Sequence, residues 1–258
     1  MNISLKLALL PLLLLLSIVC GSVSAMIFQL DTGSLIETIC NPEIHFALGM
    51  SLGTSLISLC LAMLIAIPAA WLMNQVKLPG QSIIDTLLDL PMVLPPLVTG
   101  MGLLLLISPQ GPLAQLLPSL RGLVFSPAGI VIAQTYVATA IMLRSCRGAF
   151  STIDPGYRLT AYNLGLSPLA TLIKVELPLC WRPLVCGAIL AWSRAIGEFG
   201  ATLMLAGATR FRTETLPMAI YLNISSGDFQ LAIGAALWLL VIAACLLFVT
   251  RAINRCEH

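Results

Sequence analysis

Long apolar runs dominate this chain and restrict its fold before any single residue is considered. Leu5 to Met26, Ile44 to Asn74, a stretch opening at Ser82, Pro127 to Leu143, Leu184 to Ala206 and Leu231 to Thr250 carry few charges. About 20 apolar residues are what an α-helix needs to cross hydrocarbon, where backbone groups find partners only within helices or closed barrels. Charged residues make up 9% of the 258, and mean hydropathy is +1.00. Soluble domains carry roughly a quarter charged residues. The expected fold is all-α: a polytopic membrane helix bundle of about six transmembrane helices. A net charge of +2 gives no reason to expect a nucleic-acid partner. The eight cysteines are scattered without a C-x-x-C pair, which suggests neither a disulfide framework nor a metal site, and no cofactor is expected.

One long interruption breaks the apolar pattern, from Ile153 to Pro178. Asp154-Pro155 is a helix start, since the aspartate oxygen caps free amides and proline suits the first helical position. Gly165 is placed to end that helix in the left-handed conformation. Ser167-Pro168 repeats the start signal, and Leu177-Pro178 is expected to stop the second helix. Tyr162, Leu166, Leu169 and Ile173 fall near helical spacing on one apolar side. The segment reads as a structured hairpin of two short helices emerging from a membrane.

The remaining features sit in the spans and the turns between them. Leu5 to Met26 has two readings, a cleaved signal peptide ending near Ser22-Val23-Ser24-Ala25 or a retained helix; its length favours the second. Gly49 and Gly53 form a G-x-x-x-G pair that would admit a close neighbouring helix. Gly49-Met50-Ser51-Leu52-Gly53 also matches the hydrolase nucleophile elbow formally, but no strand–turn–helix setting or histidine partner accompanies it. Ser82 and Asp85 resemble a capping box at the start of the third span. Pro91, Pro95 and Pro96 must kink or break that span, either because it faces a pathway or as packing kinks. Arg194 and Glu198, four apart in the fifth span, can pair on one helix face. That pair either neutralises itself structurally or contacts an anion. Asn223-Ile224-Ser225 matches a glycosylation acceptor that is frequent by chance. With the hairpin inside, Lys6, Lys77, Arg144, Arg147, Arg158, Lys174, Arg182, Arg251 and Arg255 lie at cytoplasmic ends. Arg121, Arg210 and Arg212 then lie outside, so both termini are expected to be cytoplasmic.

No Walker-A loop, H-E-x-x-H or Rossmann fingerprint is present, so the chain is not expected to be an enzyme. Gly165, nine residues, then Val175-x-Leu177-Pro178 resembles the coupling motif of type I ABC importer permeases, E-A-A, three residues, G, nine residues, I-x-L-P. The resemblance covers about residues 44 to 251. PMVLPPLVTG at 91–100, ELPLCWRP at 176–183, SRAIGEFGATLMLAG at 193–207 and TETLPMAIY at 213–221 point to its oxyanion branch. Together they look most like molybdate permease subunits. Leu159-Thr160-Ala161 stands where the family has E-A-A, so the motif glutamate is missing.

The resemblance implies a type I permease fold over 44–251 with a cytoplasmic coupling hairpin at 153–178. Residues 1–43 would supply an N-terminal helix and outer loop, and 252–258 a cytoplasmic tail. It also implies a cell inner membrane location and a homodimer. Two separate ATPase subunits would dock on Leu159, Thr160, Ala161, Gly165, Val175, Leu177 and Pro178. A molybdate-binding protein would deliver the anion from outside, past Pro95, Pro96, Arg194 and Glu198 as pathway candidates. The partners would then be those proteins and membrane lipid. Tungstate or sulfate are alternative substrates. A secondary transporter using the Arg194/Glu198 pair is a further alternative, although no internal repeat accompanies it.

Overall fold

The computed structural model describes residues 3–29, 40–76 and 79–255. Most of the Gln29–Glu43 connection, Lys77 and Leu78 of the turn before Gly80, and residues 256–258 lie outside them. Among the described residues every regular element is helical. Five helices are long and apolar enough to cross a membrane, six if one bent pair counts as a span.

Helix α1 (Ile3–Phe28) presents exposed apolar side chains from Leu10 to Phe28, as a helix surrounded by hydrocarbon does. Helix α2 (Pro42–Gln75) is capped by Asn41, whose side chain accepts from the Glu43 amide at 2.8 Å. At 34 residues it is about 50 Å long. Its buried face is a continuous stripe at helical spacing: Ser51, Ser55, Ser58, Ala62, Ala66 and Ala70. Small residues let backbones approach closely, and hydroxyls bridge helices. Ser58 Oγ donates to the Val131 carbonyl at 3.1 Å, and Trp192 Nε1 donates to Ser55 Oγ at 2.9 Å. The stripe packs on α6 (Pro127–Ser151), which is the centre of the bundle, with Ala138, Met142, Cys146 and Phe150 buried against it. Such interhelical hydrogen bonds contribute on the order of 0.6 kcal/mol each, so close packing of the stripe carries most of this contact.

The expected third span is two helices. α3 (Gln81–Val93) ends before Leu94, Pro95 is extended, and α4 (Pro96–Ile107) begins immediately after. The proline cluster breaks the helix as expected. The start of α3 differs from expectation: Gly80 occupies the cap position at φ +70°, with no side-chain cap. Asp85 instead forms a two-bonded pair with Arg147 of α6, at 2.7 and 2.9 Å. Two short pieces follow α4, α5 (Pro112–Leu116) and a 3₁₀ turn (Pro118–Gly122).

Helices α7 (Pro155–Asn163) and α8 (Pro168–Thr171) form the hairpin. A π turn (Leu172–Glu176) and α9 (Leu177–Leu179) extend its second arm. After a bend of 83°, α10 (Trp181–Ile196) enters the bundle. The expected fifth span is also interrupted, at Gly197 to Phe199, before α11 (Gly200–Ala206). α12 (Leu216–Ser226) and α13 (Phe229–Arg255) complete the chain. α12 runs one turn beyond the expected Tyr221, and α6 continues two turns past the expected Leu143.

Candidate functional site

The hairpin is built by local rules that the sequence states openly. Asp154 Oδ1 accepts from the Gly156 amide at 2.9 Å, and Ser167 Oγ accepts from the Ala170 amide at 3.3 Å. Gly165 has φ +82°, and two bonds close a Schellman cap around it. The Leu166 amide donates to the Ala161 carbonyl at 3.0 Å, and the Gly165 amide donates to the Tyr162 carbonyl at 2.9 Å. The expected stop at Leu177-Pro178 lies two residues early. Proline lacks an N–H, and its ring crowds the carbonyl four residues back. The widened π turn, in which the Leu177 amide reaches the Leu172 carbonyl, accommodates that ring, and the helix bends only at Cys180.

What the hairpin presents outward is apolar. Leu159 is 61% exposed and Leu164 78%, and Tyr157, Tyr162, Leu169 and Ile173 are exposed with them. A shallow groove of about 450 Å³ runs between Tyr157, Thr160, Leu164 and Val175. Among the expected coupling residues, Leu159, Thr160, Gly165 and Pro178 are exposed, and Val175 and Leu177 are half-buried. Ala161 is buried beneath the cap. The structure therefore gathers this set on one hairpin. An exposed apolar surface of this kind is rare on a segment this rich in polar caps.

Glu176 lies at the base of the hairpin. It is fully buried. Trp71 Nε1 of α2 donates to its Oε2 at 2.6 Å, and Arg158 Nε of α7 donates to its Oε1 at 2.6 Å. No local signal identifies it, because Trp71 is 105 positions away.

The second set of expected site residues lies where the two broken spans meet. Glu198 is fully buried at the break between α10 and α11. Its Oε1 accepts from the Ala201 amide at 2.9 Å, capping α11, while Oε2 faces Arg194 Nη1 as an ion pair. Arg194 stands about 20 Å along α10 from Trp181, with its side chain 37% exposed. Pro96 packs directly on Gly200, where an added Cβ would come within 2.7 Å of the proline ring. Pro95 and Pro96 are exposed beside it. The Val98 and Thr99 amides at the start of α4 are bonded across the break, donating to the Pro95 carbonyl at 2.9 and 3.1 Å.

At the far end of α2, about 40 Å from Trp71, lies a third polar group. Asn223 Nδ2 donates to Glu43 Oε1 at 2.8 Å, and Arg210 Nη2 donates to Asn223 Oδ1 and Ser226 Oγ, both at 3.2 Å. Buried Glu214 accepts from the Phe211 amide at 3.1 Å. Burial pushes its carboxyl up to about 7; the Phe211 amide opposes that shift, the Glu43 carboxylate adds to it, and Arg210 opposes it. Asn223 is buried and doubly bonded, so it is no glycosylation acceptor. Ser51 is mid-helix and accepts from the Leu216 amide at 2.7 Å, which excludes a nucleophile elbow. Gly49 and Gly53 face open space among the described residues, so no helix of this chain packs closely on them.

Residues 59–256 match the family model described as the binding-protein-dependent transport system inner membrane component. The chain belongs to this family. It is an ABC importer permease subunit, a multi-pass membrane protein whose family leaves ATP hydrolysis to a separate subunit. It is 34% identical over 234 residues to a probable molybdenum ABC transporter permease protein of Haloferax volcanii, covering 90% of this chain and 84% of that one. It is 28% identical over 229 residues to a sulfate transport system permease protein of Salmonella typhimurium, covering 87% and 83%. Its fold matches a bacterial ABC transporter involved in alginate import at TM-score 0.76 and 16% identity, over 97% of this chain and 95% of that one.

Proposed function

We propose that this permease carries molybdate into the cytoplasm, coupled to two ATPase subunits that dock on its 153–178 hairpin. The observation that carries the coupling part is the exposed apolar face of Leu159, Leu164 and Leu169 on a rigidly capped hairpin at one end of the bundle. Two copies of the chain pair around a shared path, and closure of the ATPases draws the hairpins together. The permease domain occupies 44–251, and both termini lie in the cytoplasm with the hairpin.

Arg194 suits a weak anion contact. It is held by a buried counter-ion yet half-open, so a passing dianion meets positive charge without being trapped. Pro96 places a second helix break against Gly200, at the start of the helix that Glu198 caps. Identity to a relative named for molybdenum exceeds that to one named for sulfate, which favours molybdate. Sulfate is the second reading, because the sulfate relative covers almost as much of the chain. The test is ATP-dependent uptake of labelled molybdate by proteoliposomes holding this chain, its ATPase and its binding protein. Uptake competed by tungstate but not by excess sulfate is expected. Uptake without the ATPase would refute the coupling reading, and preferential uptake of sulfate would refute the substrate.

A further inference from the structure

The hairpin is joined covalently to two elements of the bundle: α6 through residues 152–154, and α10 through the bend at Cys180. Movement of a docked hairpin reaches those helices along the chain itself. α2 has no such link, although it shares the most extensive helix–helix contact of the bundle with α6. What ties it to the hairpin in polar terms is Trp71 Nε1 donating to Glu176 Oε2 at 2.6 Å. The other oxygen of the same carboxylate holds Arg158 of the opposite hairpin arm at 2.6 Å. Both bonds are short and charge-assisted, and each restricts direction as well as distance. Apolar contacts around Leu172 and Leu177 allow sliding; a carboxylate gripped from two sides does not. The π turn matters here, because its extra residue per turn shifts the register round the helix axis at the position where Glu176 faces inward.

Resting on the reading of the hairpin as the ATPase dock, we infer that Glu176 is a positioning residue that passes hairpin movement to α2 through Trp71. Glu176 keeps the two hairpin arms and α2 as one body, so that α2 moves with α6 and α10 when the hairpins close. Without the bond the ATPase still docks and turns over, but α2 lags and the path does not open fully.

The experiment uses the full complex with its native ATPase and binding protein in proteoliposomes, comparing wild type, Glu176→Gln, Trp71→Phe and the double variant. Three quantities are read: ATPase co-purification, MgATP hydrolysis, and labelled molybdate taken up per ATP hydrolysed. Glu176→Gln and Trp71→Phe should each retain the ATPase and its hydrolysis, while uptake per ATP falls about tenfold. The double variant should be no worse than Glu176→Gln alone, since Trp71→Phe removes only the Trp71 bond, whereas Glu176→Gln also weakens the Arg158 pair. Unchanged uptake per ATP in Trp71→Phe overturns the inference. So does loss of ATPase binding in both single variants, which would mean that Glu176 only maintains the hairpin's shape. Failure of the docking reading shows separately, as a wild-type chain that does not retain the ATPase. Trp71→Phe keeps the test decisive should Glu176→Gln fail to fold.

Discussion

Replacing Gly165 with valine tests the hairpin geometry most directly, because the structure separates backbone cost from packing cost. A Cβ at Gly165 would meet nothing within 4 Å. The penalty is therefore conformational, set by φ +82°, and amounts to about 1–2 kcal/mol for an ordinary L-residue and more for a β-branched one. Escaping that strain means moving φ below zero, which breaks the Leu166–Ala161 and Gly165–Tyr162 bonds and re-aims α8 relative to α7. A cost near 1.4 kcal/mol shifts the ratio of correct to displaced hairpins about tenfold. Asparagine tolerates the left-handed region and should be nearly neutral. The assay is retention of the ATPase by detergent-purified chain carrying Gly, Asn, Ala or Val at this position, alongside thermal melts of the chain alone. Retention should fall in that order while the melts stay close together, since Gly165 itself is exposed and makes no contact with the α2–α6 core. Full retention by Gly165→Val, or a large drop for Gly165→Asn, would refute the argument.

Arg194→Ala should lower the yield of folded protein on size-exclusion chromatography, because an unpaired buried carboxylate costs about 3–5 kcal/mol. Adding Glu198→Ala should restore most of that yield but not all, since the cap on the Ala201 amide is also lost, at about 1 kcal/mol. Glu214 binds its proton more tightly in the folded chain, about 7 against an ordinary 4.5. Its stabilising contribution is therefore complete below about pH 4.5 and lost as pH rises through about 7, and Glu214→Gln should flatten that part of the melting profile. Leu159→Glu should depress substrate-stimulated ATP hydrolysis more than Leu159→Ala does. The reason is that burying a leucine contributes about 1.5–3 kcal/mol whereas a carboxylate in the same apolar seat costs several. Glutamate at or above wild-type activity would show that the facing groove is polar.

Legibility in the sequence followed the range of the interaction. The caps at Asp154, Gly165 and Ser167 were readable because each joins groups within five residues, and propensity alone places them. The Ser82–Asp85 signal looked equally local and was misleading. Asp85 has a stronger partner in Arg147, 62 positions away, and the helix start fell to Gly80. Pro178 misled for a related reason, since a π turn upstream absorbed a ring that an α-helix would reject. Glu176 carried no signal at all. A carboxylate four residues before a bend reads as surface until Trp71 is seen to reach it.

The pathway candidates illustrate a different limit. Pro95 and Pro96 announced one helix break, but the break at Gly197 to Phe199 lay hidden in an apolar run that reads as continuous. The two breaks explain each other once they are placed side by side. α4 and α11 meet at backbone distance, with Gly200 on Pro96 and Gly100 on Ala201, where any side chain at either glycine would collide with its neighbour. Interrupted backbone within a membrane persists only where protein or an aqueous path satisfies it. Here Glu198 supplies part of that, capping α11 with one oxygen while the other holds Arg194. The structural and anion-contacting readings of this ion pair are therefore not rivals. The same carboxylate that stabilises the broken helix holds a half-exposed guanidinium, in a span where an unpaired buried charge would be too costly to keep.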